Sequence, residues 1–223
     1  MVNLYGIDIS HLPDPKDKPY LLNGLSDDRQ QRILKYKHLK GRRQSLGAGL
    51  LLKTILPIFG ELEQNIRFGT NGKPETDNIQ FNLSHSGNLV ICAVSNETVG
   101  CDVEQIGNYH EGVVRRFFSE KEKTYLENTE ESKRAQAFFR IWTARESYMK
   151  LTGEGMRLEL SAFEVEVGNS GELKIIRDGS YQSCFMKEYQ YNEYQISVCA
   201  TESNFNNEIQ ILTLQGDKIN EII

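Results

Sequence analysis

The sequence predicts an α+β protein made of two similar halves, with a cleft between them for a ligand. Three observations carry this. Each half opens on a short strand-like run with alternating acidic residues, LYGIDIS at 4–10 and TVGCDVEQ at 98–105. Each then carries a long amphipathic helical stretch, RRQSLGAGLLLKTIL in the first and RAQAFFRIWTARESYMKLTG in the second. Each closes on strands, FNLSHSGNLVICAVS and YQYNEYQISVCATES, in which ICAVS and VCATE resemble each other. The boundary falls just before residue 100, giving halves 1–99 and 100–223. Halves related by a pseudo-twofold form a pseudo-dimer, and clefts at such interfaces are preferred ligand sites. Because any α+β chain can show a coarse β-α-β echo, the duplication is an expectation for the structure to meet.

The helix boundaries have local signals. Ser26, with Asp27 and Asp28 behind it, precedes RQQRILKY as an N-cap. Ser119-Glu120-Lys121-Glu122 has the Ser-x-x-Glu form of a capping box. Gly153 closes the second long helix.

Composition narrows the function. The 223 residues are 39% hydrophobic and 26% charged, which is ordinary for a globular protein. A formal net charge of −5 argues against a general nucleic-acid binder, while leaving room for a local basic pocket. The start, MVNLYGIDIS, has no secretory pattern. The longest apolar stretch, SLGAGLLLKTILPIFG, is interrupted by Lys53 and Pro57 and is too short and polar to span a bilayer. Cys92, Cys101, Cys184 and Cys199 form no CxxC or zinc spacing. They read as reduced thiols of a cytoplasmic protein, with Cys92 and Cys199 as small hydrophobes in apolar strands.

The stretch GCDVEQ places Asp102 and Glu104 two residues apart in an apolar strand. Side chains at i and i+2 share a face, so these charges repel and call for a positive partner. On the second long helix, Trp142, Glu146 and Lys150 fall at i, i+4 and i+8 and share a face as well. Spacing alone reads Glu146 and Lys150 as a surface ion pair of little energetic weight. Beside Asp102 and Glu104, however, Glu146 completes a set of three carboxylates without His or Cys. That donor set suits a hard cation, Mg²⁺ by default and Mn²⁺ as the alternative.

Further basic and hydroxyl residues suit phosphate. FNLSHSG carries Ser84, His85 and Ser86, read either as a structural histidine with neighbours or as a phosphate-holding loop. There is no spacing here for a hydrolase triad. GKP, at 72–74, presents Lys73 on a turn. Residues 29–43 are locally basic, and Arg29 and Arg32, at i and i+3, could clamp one phosphate.

In order along nearly the whole chain, YGI, GKP, FNLSHSG, GCDVE, RRFFSEKE and WTARESYMKLTGEG resemble the 4′-phosphopantetheinyl transferases of the surfactin-synthetase-activating type. Each motif alone is weak; together and in order they are specific. The resemblance implies a pseudo-dimer of two α+β halves with the active site between them. It implies transfer of the phosphopantetheine arm of coenzyme A to a serine of an apo carrier protein, with adenosine 3′,5′-bisphosphate as by-product. By position, Asp102, Glu104 and Glu146 match the magnesium carboxylates, with Glu146 also the base for the serine proton. Lys150 matches the lysine that stabilises charge on the transferring phosphate or leaving group. Lys73, Ser84 and His85 match coenzyme A contacts, Arg29 and Arg32 match basic positions near the 3′-phosphate, and Ser45 matches a hydroxyl position there. One departure is Arg145, where the family pattern W-x-x-K-E has lysine. The partner would be an acyl or peptidyl carrier of fatty-acid, polyketide or nonribosomal-peptide synthesis, docking on residues 105–118. The two halves in one chain imply a monomer. The competing readings are a Mg²⁺-dependent hydrolase of coenzyme A, which needs no carrier, and a non-catalytic coenzyme A-binding module, which has no use for Glu146 and Lys150.

Overall fold

Period-2 apolar runs become strands and 3.6-residue patterns become helices, in mixed α+β order. The computed structural model describes residues 1–69, 71–215 and 218–220. Strand β1 (Val2–Asp8) leads to helices α1 (Asp27–Lys35) and α2 (Leu39–Ile55). Then come β2 (Arg67–Phe68), β3 (Pro74–Glu75), β4 (Gln80–Ser86), β5 (Leu89–Ser95) and β6 (Val99–Gln105). Helices α3 (Glu111–Phe117), α4 (Glu120–Glu127) and α5 (Glu131–Thr152) follow. The chain ends in β7 (Phe163–Val167), β8 (Leu173–Arg177), β9 (Ser180–Tyr181), β10 (Phe185–Tyr191), β11 (Tyr194–Ala200), β12 (Phe205–Gln215) and β13 (Lys218–Asn220). The expected caps form. Ser26 Oγ accepts from the Arg29 amide, Ser119 and Glu122 make the reciprocal capping box, and Gly153 ends α5 at a φ of 67°.

Two sets of strands repeat one arrangement. β5 pairs antiparallel with both β1 and β4, giving the order β1-β5-β4. β11 pairs antiparallel with both β6 and β10, giving β6-β11-β10. Each set is an opening strand, a long helix and a hairpin whose second strand lies beside the opening strand. One addition breaks the symmetry. β12 pairs parallel with β1, so late residues extend the first sheet.

Three cores stack these elements in layers. Leu46, Leu50 and Leu51 of α2 pack on Ile7, Phe81 and Val90 of the first sheet. The opposite face of that sheet, with Leu4, Ile91 and Ala93, meets Cys101, Val103, Ile196 and Val198 of the second. Helix α5 covers the far side through Phe138, Ile141, Ala144 and Tyr148, beside Leu126, Phe163 and Val165. Every residue of β5 is buried because both its faces are covered, which explains its unbroken apolar run. Cys92 and Cys199 are core residues, as their apolar runs predict. Among the described residues no helix is long and apolar enough to cross a membrane.

Candidate active site

The site forms where the edge strands β4 and β6 meet beneath α5. The two strands are joined by side chains. Asn82, Ser84 and Ser86 alternate on one face of β4. Asn82 Oδ1 accepts from the Cys101 amide at 2.9 Å, and Ser84 Oγ donates to Asp102 Oδ1 at 2.8 Å. Ser86 Oγ donates to Glu104 Oε2 at 2.8 Å and accepts from the Gln105 amide at 3.1 Å. The N-x-S-x-S alternation thus holds the acidic strand. Ser84, expected to contact coenzyme A, here donates to a carboxylate. Asn82 is the contributor that the phosphate-loop reading left out; the period-2 polarity of Asn82, Ser84 and Ser86 along the strand was the available signal.

Helix α5 lies directly on β6 at Gly100. A Cβ there would sit 2.2 Å from the Ser147 carbonyl oxygen and 2.3 Å from the Leu151 nitrogen. Only glycine permits this approach, which brings the face with Trp142, Glu146 and Lys150 onto Asp102 and Glu104. Lys150 Nζ donates to Asp102 Oδ1 at 2.6 Å and to Ser84 Oγ at 2.9 Å. The positive partner demanded by the paired charges is therefore Lys150, whose ion pair is with Asp102 and not with Glu146. Trp142 lies near enough to Glu104 to favour its charged form.

The electrostatics follow from crowding in a dry place. Burial raises the pKa of Glu146, and Asp102 and Glu104 add to the rise against Lys150. Burial also raises Glu104; its bond from Ser86 opposes this and Asp102 reinforces it. Burial alone would lower the Lys150 ammonium, but Asp102 and the neighbouring groups keep its pKa above the ordinary lysine value. Lys150 is charged at neutral pH, and Glu146 is a stronger base than a free carboxylate. Asp102 Oδ2 is buried and has no hydrogen-bond partner. Among the described residues, no three His, Cys, Asp or Glu side chains are gathered closely enough to hold a metal ion by themselves.

The other expected residues are distributed unevenly. His85 lies on the opposite face of β4 from Ser84, at the exposed rim. Its pKa is lowered, first by desolvation and then by Lys150 and Lys40. Lys73 is not the solvated turn lysine that GKP suggests. Its Nζ bonds the Val99 and Leu151 carbonyls, both at 3.2 Å, tying the turn to β6 and the end of α5. Arg29 and Arg32 line a separate cavity of about 300 Å³, where Arg29 pairs with Glu63 at 2.6 Å and Arg32 stacks 5.3 Å from the Phe68 ring centre. Ser45 is buried and makes no side-chain bond to any of them. Arg145 is fully buried. It pairs with Glu122, bonds the Leu160 carbonyl and the Phe163 carbonyl (2.9 Å), and lies 4.6 Å from the Phe163 ring centre. It binds α5 to α4 and β7, away from the carboxylate cluster.

This acidic strand, lysine-bearing helix and serine-lined edge match known proteins over most of the chain. The 4′-phosphopantetheinyl transferase gsp of Aneurinibacillus migulanus is 32% identical over 205 residues, covering 90% of this chain and 86% of that one. The chain belongs to the 4′-phosphopantetheinyl transferase family. Psf-1, the Bacillus pumilus 4′-phosphopantetheinyl transferase, is 31% identical over 184 residues, covering 80% of this transferase and 79% of its own length. The Bacillus subtilis (strain 168) 4′-phosphopantetheinyl transferase Sfp is 26% identical over 221 residues, or 96% of this chain and 99% of that one. The model of the 4′-phosphopantetheinyl transferase superfamily matches residues 98–199, the stretch from β6 to β11 that holds all three carboxylates and Lys150.

Proposed function

We propose that this transferase moves the 4′-phosphopantetheine arm of coenzyme A to a serine hydroxyl of an apo acyl or peptidyl carrier protein. One observation carries the reading: at Gly100 a helix bearing a base and a cation lies directly on a strand bearing two carboxylates. The halves 1–99 and 100–223 act as a pseudo-dimer within one monomer, and each supplies one wall of the cleft.

The serine oxygen attacks the phosphorus that bears pantetheine, in line with the oxygen of the departing nucleotide. Glu146 takes the serine proton; its raised pKa suits it to do so near neutral pH. Lys150, held charged by Asp102, stabilises the negative charge that builds on the phosphoryl oxygens and the leaving group. The new serine–phosphorus bond replaces the pyrophosphate linkage, and adenosine 3′,5′-bisphosphate departs. Asp102, Glu104 and Glu146 would hold Mg²⁺, which when bound would neutralise pyrophosphate charge. The unpartnered Asp102 Oδ2 and the all-oxygen donors fit such an ion. The absence of a closed protein cage fits a cation that keeps waters and takes phosphate ligands.

The carrier docks along residues 105–118. There Arg115 lines a groove of about 310 Å³ with Tyr109, Val114, Lys123 and Arg134; Glu111 and Glu127 also line it, so its charge is mixed with basic groups in excess. Phe118 is core, stacked 5.4 Å from Phe138, whereas Phe117 is half-buried under Arg116. The four free cysteines accord with a reducing, cytoplasmic setting.

The test is intact mass spectrometry of an apo carrier after incubation with the protein, coenzyme A and Mg²⁺, with a chelator control. A metal-dependent gain of one phosphopantetheine is expected. Coenzyme A cleavage without carrier modification would replace the reading with a hydrolase.

A further inference from the structure

The sheet β6-β11-β10 carries a polar row beneath α5. Asp102 of β6 lies opposite Ser197 of β11, and Ser197 lies opposite Glu188 of β10, so the three share one face. Helix α5 answers each of them from above. Lys150 donates to Asp102 at 2.6 Å, Thr143 bonds Ser197 at 2.8 Å, and Arg140 donates to both oxygens of Glu188 at 2.7 Å. The outer two pairs are ionic. The middle pair is two hydroxyls, completely buried, that the transfer chemistry does not use.

The direction of that middle bond follows from counting protons. A threonine hydroxyl has one proton to donate. Thr143 gives it to the Phe139 carbonyl at 2.9 Å, with the Arg140 carbonyl at 3.3 Å beside it, and a carbonyl can donate nothing in return. Ser197 is therefore the donor to Thr143 Oγ1. Among the described residues its side chain has no other hydrogen-bond partner. Two carboxylates flank Ser197 in the row, and they differ. Glu188 is engaged by Arg140 on both oxygens and by Gln195 at 3.2 Å. Asp102 is engaged on Oδ1 by Ser84 and Lys150, but its Oδ2 is buried with no partner. A buried carboxylate oxygen without a partner attracts a hydroxyl within reach, because bonds to a charged acceptor are stronger than bonds between neutral groups. A Ser197 side chain released from Thr143 has Asp102 Oδ2 as its open acceptor.

We propose that Thr143 is a positioning residue, which by holding the Ser197 hydroxyl keeps Asp102 Oδ2 open for a divalent cation. This rests on the reading of Asp102 as a cation ligand given above. A serine proton on Oδ2 would take up a lone pair and part of the charge that a cation needs there. Thr143 acts at a distance from the reaction. It touches neither substrate nor carboxylate, and works by taking the competing donor for itself. Its place one turn before Glu146 on α5 puts this restraint on the same helix as the base.

The experiment titrates Mn²⁺ into the full chain with coenzyme A and no carrier, so that nothing turns over, and reads free Mn²⁺ by electron paramagnetic resonance. Thr143→Val keeps the shape and removes the acceptor. It should weaken Mn²⁺ binding about tenfold, the scale of a competing hydrogen bond to a charged group, and raise the Mg²⁺ needed for half-maximal transfer in step. Thr143→Ser keeps the acceptor and should bind as the wild type does. The deciding variant is Thr143→Val/Ser197→Ala, which also removes the competitor and should bind Mn²⁺ more tightly than Thr143→Val alone. A packing role gives the opposite order, with the double variant the weaker binder, and that result overturns the proposal. Wild-type affinity in Thr143→Val overturns it too. If Thr143→Val does not fold, Ser197→Ala decides: binding as tight as the wild type or tighter supports the proposal, and weaker binding overturns it. A wild type that binds no Mn²⁺ overturns the cation reading along with this one, whereas wild-type binding with any of the contrary orders overturns this one alone.

Discussion

Among the cations of helix α5, Arg145 and Lys150 lie five residues apart, and each meets a carboxylate in a different region of the molecule. At the α4–α5–β7 junction, Arg145 and Glu122 are both fully buried, and Arg145 Nε is the atom of the pair left without a partner. Glu122 also accepts from the Ser119 and Val165 amides at 2.6 and 2.8 Å. At the β4–β6 cleft, Lys150 and Asp102 are paired, but Asp102 Oδ2 is left over and Glu104 and Glu146 crowd in. The first pair is closed off from solvent on all sides and holds elements together. The second is under-satisfied, with spare acceptors and mutual repulsion that a bound ligand would relieve. Chemistry resides where like charges crowd at an accessible edge.

That contrast can be broken at either end. The largest effect is expected for Glu146→Gln, which should cut kcat/KM for carrier modification about 10²–10⁴-fold, the usual worth of a general base. Its melting temperature should hold or rise, since a repelling charge is gone. Activity close to wild type would remove Glu146 from the mechanism. At the buried pair, Glu122→Gln leaves a guanidinium uncompensated and should cost about 3–5 kcal/mol in urea unfolding. Replacing both partners with methionine should recover much of that loss, and a double variant no better than Glu122→Gln would contradict the pairing.

Between these lies Gly100→Ala. Its added methyl collides with helix backbone, and overpacking of this kind costs about 1–3 kcal/mol. Activity should suffer more than stability, because the helix must lift Glu146 and Lys150 off the strand. Equal losses in both would mean that the close contact serves packing alone. A smaller effect distinguishes the sites by pH. Glu104 and Glu146 have folded pKa values above the ordinary 4.5, so the folded state binds their protons first. In chelator, their contribution to stability should therefore rise as pH falls from neutral and level off below the unfolded value. Urea midpoints of Glu104→Gln/Glu146→Gln should lose that slope, whereas Glu122→Gln should keep it.

The sequence is legible where one residue type answers one local need. Ser26, the Ser119–Glu122 box and Gly153 mark helix ends because orphan amides and carbonyls need those groups. The shared face of Asp102 and Glu104 follows from a period of 2 and that of Glu146 and Lys150 from a period of 3.6, but not the meeting of the two faces. What stayed hidden depends on three dimensions. Arg145 sits next to Glu146 in sequence, yet points about a quarter-turn away into another core. Lys73 has the look of a turn lysine, but two carbonyls distant in sequence capture it. The phosphate clamp expected of Arg29 and Arg32 meets Glu63 and Phe68, neither of which helix spacing could reveal.

The parallel pairing of β12 with β1 has a consequence for how the chain is made. Val2 lies opposite Phe205 and Ile7 opposite Leu212, so β1 is made long before the strand that covers its second edge. Until then β1 presents open amides and carbonyls to any neighbouring strand. The nascent first half is thus the stretch most exposed to mispairing, and late synthesis is the step that protects it.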